Sequence, residues 1–220
     1  NVDSLLIQKN YQTPLKNRLV ASSQQLLRID NETVVNMPYN LEEMFIERLP
    51  SILKDVSIVS ISDYAKGFLS EKLLQYIIEI SKKLNVAVLI DPKGLDFSKY
   101  FGATIIKPNL KEAYLAAKLP LSEPLEKVAE YLLELTNAEK ILITLSENGI
   151  ALFDRTKKRK NFPVRVKDVI DVTGAGDTVL SVISVALANG INIEKAINLA
   201  NIAAGIAIEQ VGCAQISLSA

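Results

Sequence analysis

The chain contains no histidine and a single cysteine, Cys213. The first absence removes Ser–His and Cys–His dyads and histidine-bound metals, so any general base is expected to be a carboxylate. The second excludes an intrachain disulfide and fits a reducing cytosol. Net charge is missing too. The 25 Lys and Arg balance 25 Asp and Glu, which leaves no footprint for nucleic acid or a membrane surface. No apolar run is long enough to span a bilayer, and there is no signal peptide, repeat, low-complexity tract or clear linker. The chain opens at Asn1 without an initiator methionine, which reads as a fragment or a processed chain.

What is present suits one large α/β domain: 220 residues, 49% hydrophobic and 23% charged. Residues 1–14 are polar and poorly patterned, and 18–30 reads as a strand or hairpin arm. Apolar spacing predicts helices over 41–53, 69–84, 110–117, 125–135, 177–188 and 193–210. Short buried strands are expected at 56–60, 86–90, 103–106 and 141–145. A hairpin is expected from 150–154 and 160–166, with the basic run Lys157 to Lys160 at its solvated tip. Strands alternating with helices imply a mostly parallel sheet covered on both faces.

The organising stretch is Asp171-Val172-Thr173-Gly174-Ala175-Gly176-Asp177, which runs into an apolar helix. Its glycines let the backbone turn tightly and aim several N–H groups at one point. With the positive end of the helix, those donors make an anion site. Asp177 beside an anion is repelled unless it has a task, and the task that fits is taking a proton from an attacking hydroxyl. The bland alternative is a glycine turn with Asp177 as a plain N-cap.

Ligands of parallel sheets bind beyond the carboxyl ends of the strands. Ser62, Asp63 and Lys66 follow the first buried strand, and Asp91 and Lys93 the second. Lys107 and Asn109 follow the third, Thr144 and Ser146 the fourth. In a parallel sheet all would share one rim with the glycine turn, and that convergence favours the anion site. Each also has a structural alternative. Asn109 and Glu112 form a capping-box pattern, Asp91 to Gly94 could be a turn with Lys93 in water, and Asn201 could face a neighbouring backbone. The segment 144–149 could be a tight connection into the next strand.

The Asp-x-Thr-Gly-Ala-Gly-Asp stretch resembles the signature of the ribokinase-like (PfkB) carbohydrate kinases. Ser62-Asp63-Tyr64-Ala65-Lys66-Gly67, Asp91-Pro92-Lys93-Gly94, Pro108-Asn109-Leu110-Lys111-Glu112 and Gln24 to Asp30 resemble its bacterial D-glycero-β-D-manno-heptose-7-phosphate 1-kinase branch. The resemblance implies a three-layer α/β/α fold and ATP-dependent phosphorylation of the 1-hydroxyl of D-glycero-D-manno-heptose 7-phosphate, in ADP-heptose and lipopolysaccharide-core synthesis in the cytoplasm. It implies Asp177 as the base and the N–H groups of Gly174, Ala175 and Gly176 as the phosphoryl cradle. Asn109 and Glu112 would place the triphosphate and Mg2+, through water. Thr144, Ser146, Gly149 and Asn201 would line the nucleotide site. Asp63, Lys66, Asp91 and Lys93 would serve the sugar phosphate. Asp171 and the Thr173 carbonyl, with 212–217, would hold a monovalent cation such as K+. Ser146 where many members carry glycine, and Lys107 where heptose kinases often lack lysine, are departures.

The resemblance further implies one kinase domain over 1–220, its C-terminal two-thirds. The N-terminal strands and most of the lid would be missing, 1–35 would be a lid remnant, and dimerisation would run through the lid. Two other readings stay open: a ribokinase-like kinase for another sugar or a nucleoside, and a non-catalytic nucleotide-binding fragment.

Overall fold

The computed structural model describes residues 5–9, 11–21, 24–156, 158–164, 169–210, 212 and 216, with Val20, Gln24 and Gln25 as backbone only. Lys157, residues 165–166 of the expected arm, Cys213 and most of 212–217 lie outside the described residues.

Short β-branched runs become the sheet. Strands β3 (Ile58–Ser62), β4 (Ala87–Asp91), β5 (Ile105–Ile106) and β6 (Lys140–Thr144) are parallel. Strands β7 (Ile150–Asp154) and β8 (Lys160–Phe162) add antiparallel, giving the order β3-β4-β5-β6-β7-β8. A separate antiparallel hairpin, β1 (Leu15–Ala21) with β2 (Gln24–Asn31), precedes them. Strand β3 begins two residues later than its apolar run suggested, because Val56 N still donates to Leu53 O behind the preceding helix.

The central strands β4, β5 and β6 are apolar on both faces, and each face of the sheet has its own helices. Helices α1 (Tyr39–Ile52), α2 (Glu71–Lys83), α3 (Leu110–Ala117) and α4 (Leu125–Thr136) lie on one side. Their Leu73, Leu74, Ala113 and Leu132 pack on Val88, Ile90, Ile106 and Ile141. Helices α5 (Ala175–Ala188) and α6 (Ile193–Ile208) cover the other side, where Leu180, Ile183 and Ile197 meet Leu89, Ile105 and Leu142. Alternation within β4 sends Val88 and Ile90 to one core and Leu89 to the other. The link from β4 to β5 carries only a 3-10 turn, Ser98–Tyr100. Parallel pairing places the carboxyl ends of β3 to β6 on one rim, as a three-layer α/β/α sheet requires.

Candidate active site

Helix α5 begins at that rim. Gly174 (φ 80) is its N-cap, and Asp177 is the third residue of the first turn. The plain N-cap reading of Asp177 therefore fails, since a left-handed glycine holds that place. First-turn N–H groups have no acceptor within their helix, and Gly174, Gly176 and Asp177 all line a cavity of about 210 Å³. Ala175 N is turned back to Val172 O at 3.3 Å, and Ala175 faces a second cavity instead.

The small cavity gathers most of the expected rim: Ser62, Asp63, Asp91, Lys93, Asn109, Glu112 and Thr144. Asn109 and Glu112 close the capping box, with Asn109 Oδ1 accepting from Glu112 N at 2.8 Å and Glu112 Oε2 from Asn109 N at 3.1 Å. Glu112 Oε1 also accepts from Lys93 Nζ at 2.7 Å, so Lys93 is not simply in water, and this bond pushes its ammonium pKa up.

Asp63 is buried and committed inside the protein. Its Oδ2 accepts from Lys99 Nζ at 2.7 Å and Tyr100 Oη at 2.6 Å, and its Oδ1 from Ala65 N at 2.7 Å. Burial opposes its ionisation, but these donors outweigh it and hold the carboxyl below the usual carboxylate range. Burial and Asp63 together push the Tyr100 hydroxyl above its usual range, so it stays a donor. Lys66 is not brought into the cavity; it pairs with Glu32 at the base of the β1–β2 hairpin.

Lys107, which the sequence placed on the rim without a specific task, also lines the small cavity. Its side chain is buried, with Nζ 3.1 Å from Asp91 Oδ2. A Cβ placed on Gly176 would stand 3.9 Å from the same nitrogen. The signal was present: a lysine closing an apolar strand is costly to bury unless it meets an anion. Burial raises the Asp91 carboxyl; Lys107 opposes this, while Glu112 and Asp177 add to it.

The second cavity, about 360 Å³, is lined by Ser146, Gly149, Val172, Ala175, Asn201 and Ile208 among others. It shares Thr144 and Gly176 with the first, so the two adjoin at the glycine turn. Asn201 faces a neighbouring backbone as its alternative reading held: Nδ2 donates to Phe162 O at 2.8 Å. Gly149 (φ 81) lies beneath the same carbonyl, where a Cβ would fall 2.0 Å from Phe162 O. Ser146 is also left-handed (φ 52), at a cost of about 1 kcal/mol that glycine would avoid.

Asp171 ties the approach to α5 together, accepting from Thr173 N at 2.9 Å and Gly212 N at 3.0 Å. Bonds from Thr173, then from Gly212, hold its carboxyl below the usual range. Among the described residues no three acidic side chains are grouped so as to hold a metal by themselves.

The sequence pattern described as "pfkB family carbohydrate kinase" matches residues 1–220. The chain belongs to that family. It is 46% identical over 214 residues, 96% of its length, to the bifunctional protein HldE of Campylobacter jejuni subsp. doylei. It spans 46% of that protein, a little under half. Ribokinase from Giardia lamblia superposes with a TM-score of 0.74 at 18% identity, over 92% of this chain and 68% of that one. Phosphofructokinase-2 from Escherichia coli in complex with potassium gives 0.72 at 18%, over 84% and 62%. Likeness at that identity concerns the fold, which is the ribokinase-like three-layer sheet. No helix among the described residues is long and apolar enough to cross a membrane.

Proposed function

We propose that this chain carries the nucleotide side and the catalytic base of an ATP-dependent kinase for the 1-hydroxyl of D-glycero-D-manno-heptose 7-phosphate. The observation that carries the reading is Asp177 in the first turn of α5, on a polar cavity that adjoins a more apolar one through Thr144 and Gly176. The larger cavity suits an adenosine between Gly149, Val172, Ala175 and Ile208. The triphosphate would then cross at Thr144 and Gly176 and end against the helix N-terminus.

Phosphoryl transfer needs positioning and fixed charge more than covalent help from the protein. Asp177 takes the proton of the acceptor hydroxyl as its oxygen bonds to the terminal phosphorus. The bond from phosphorus to the bridging oxygen breaks, and that electron pair leaves with ADP. The N–H groups of Gly174 and Gly176, with the Lys107 ammonium, stabilise charge on the transferring group. Burial raises the Asp91 carboxyl and the Glu112 and Asp177 charges add to it across the cavity, a cost that a divalent cation would relieve. Asn109 and Glu112 would hold Mg2+ through water, and the ion would neutralise charge on the phosphates. On the acceptor side Asp91 and Lys93 face the cavity; Asp63 acts by anchoring its loop, and Lys66 reaches the site only by leaving Glu32.

Residues 1–220 are read as one kinase domain, with 1–35 forming part of a lid. In the β1–β2 register, Leu15, Leu19, Leu27 and Ile29 share a face that is about half exposed. Such a face suits contact with a second copy. Asp171 and the Thr173 carbonyl are the proposed K+ ligands.

The test is Asp177→Asn in the full-length protein. ATP binding by calorimetry is expected to persist while transfer to the heptose phosphate falls by about 10²-fold or more. Turnover within a few-fold of the parent would overturn the role of Asp177, and a panel of other sugar phosphates and nucleosides tests the acceptor.

A further inference from the structure

Tyr64 belongs to the Ser62 to Gly67 motif, yet nothing above gives it a task. It lines the small cavity, and its hydroxyl donates to both oxygens of Asp177, at 3.2 Å to Oδ1 and 3.3 Å to Oδ2. The two residues are 113 positions apart, so the contact is made by the fold and by the loop that presents the ring.

That loop is held at both ends. Asp63, fixed by Lys99 and Tyr100, accepts from Ala65 N and keeps Ala65 in the left-handed region (φ 52). Beyond it, Gly67 O accepts from Met37 N at 2.9 Å. A non-glycine residue keeps such a φ only where its surroundings impose it. The outcome is a tyrosine that is 57% exposed as a residue, on an anchored loop, with its polar end against the carboxylate.

We propose that Tyr64 is a positioning residue that caps Asp177 in the absence of acceptor and so restrains transfer of the phosphoryl group to water. The proposal rests on the reading of Asp177 as the base. The Tyr64 hydroxyl, shared between both carboxylate oxygens on the cavity side, competes with an attacking hydroxyl for Asp177. In uncoupled hydrolysis a water oxygen bonds to the terminal phosphorus, the bond to the bridging oxygen breaks with its electron pair leaving on ADP, and the water proton goes to Asp177. A water brings only its own hydrogen bonds to displace the tyrosine hydroxyl. A sugar phosphate brings the binding energy of its other hydroxyls and its phosphate, enough to move an exposed ring aside. Remote binding energy is thereby used to open the base to the correct acceptor alone.

The experiment uses Tyr64→Phe in the full-length protein, which keeps the ring and removes the hydroxyl. With ATP and Mg2+, the ratio of acceptor-free ADP release to heptose-phosphate-dependent transfer is expected to rise about fivefold, the scale of one net hydrogen bond. The thermal midpoint and ATP affinity are expected to stay at the parent's values, since the residue is largely exposed and phenylalanine keeps its ring. A second readout needs no nucleotide. With 3-fluorotyrosine at position 64, the fluorine resonance is expected to move when heptose 7-phosphate is added alone. An unchanged hydrolysis-to-transfer ratio, or a resonance that does not respond to the acceptor, overturns the proposal. If Asp177→Asn abolishes transfer while Tyr64→Phe leaves the ratio alone, only the capping role is lost. If Asp177→Asn retains transfer, the underlying reading falls instead.

Discussion

Lys107 Nζ lies 3.1 Å from Asp91 Oδ2, an ion pair between a buried lysine and a partly exposed aspartate that joins the ends of the neighbouring strands β4 and β5. It sits directly below the glycine turn, within reach of whatever occupies the space above Gly176. A lysine has three donors, and the pair leaves it able to meet a phosphate oxygen without releasing Asp91. Breaking a buried pair by removing one partner costs far more than the pair contributes, because it strands the other charge.

Lys107→Met is therefore expected to lower stability by about 2–4 kcal/mol, read from urea unfolding, and to weaken ATP binding. The pH dependence has a definite sign. Asp91 is raised in the fold above its unfolded value, so its stabilising contribution is present in acid and lost as pH rises through the folded value. Without Lys107 the raise grows, so the gap between parent and variant should be wider at about pH 7.5 than at about pH 5. A gap that narrows with rising pH would contradict this account.

Gly149→Ala meets two obstacles. Its φ of 81 is unfavourable for alanine, and the new Cβ would fall 2.0 Å from Phe162 O and 2.8 Å from Val164 N. Both are backbone atoms, and Phe162 O also accepts from Asn201. A loss of about 3 kcal/mol or more is expected by thermal unfolding, with weaker ATP binding as the larger cavity deforms. A variant as stable as the parent would show that the β7–β8 arm yields easily.

The β1–β2 hairpin carries Lys16, Arg18, Arg28 and Asp30 on one face and Leu15, Leu19, Leu27 and Ile29 on the other. Two strands alone are marginal in water, so the apolar face favours a partner. The purified chain is expected to self-associate in sedimentation. Replacing both Leu19 and Leu27 with lysine should shift it toward the monomer. An unaltered distribution would place the contact elsewhere.

If a monovalent cation binds at Asp171 and the Thr173 carbonyl, it would stiffen the approach to α5 and deepen the field at the helix N-terminus. Full-length enzyme should then turn over several-fold faster in potassium than in tetramethylammonium at equal ionic strength. Equal rates in potassium, sodium and the organic cation would remove the ion from the site.

Much of the architecture was legible because it is local. The apolar runs at Val88 to Ile90 and Ile141 to Ile143 marked doubly covered strands, and Asn109 with Glu112, three positions on, marked the start of α3 as a capping box. Short-range periodicity and capping depend on neighbours in the chain, so the chain alone reveals them. The glycine turn before α5 was legible for the same reason, and parallel topology then put the strand ends beside it. Charge partners were decided otherwise. Tertiary packing gave Lys66 to Glu32, Lys99 to Asp63, Lys107 to Asp91 and the Tyr64 hydroxyl to Asp177, across separations from 16 to 113 residues. A charged side chain reaches several ångströms in any direction, and its partner is whichever opposite group the fold leaves within reach. No spacing rule in one sequence encodes that choice. It also sent Asn201 to Phe162 O and made Gly174, not Asp177, the cap of α5. The sequence by itself determined that a glycine turn and an acidic residue would stand together where α5 begins at the strand-end rim; only the packed structure decided which side chains surround that carboxylate.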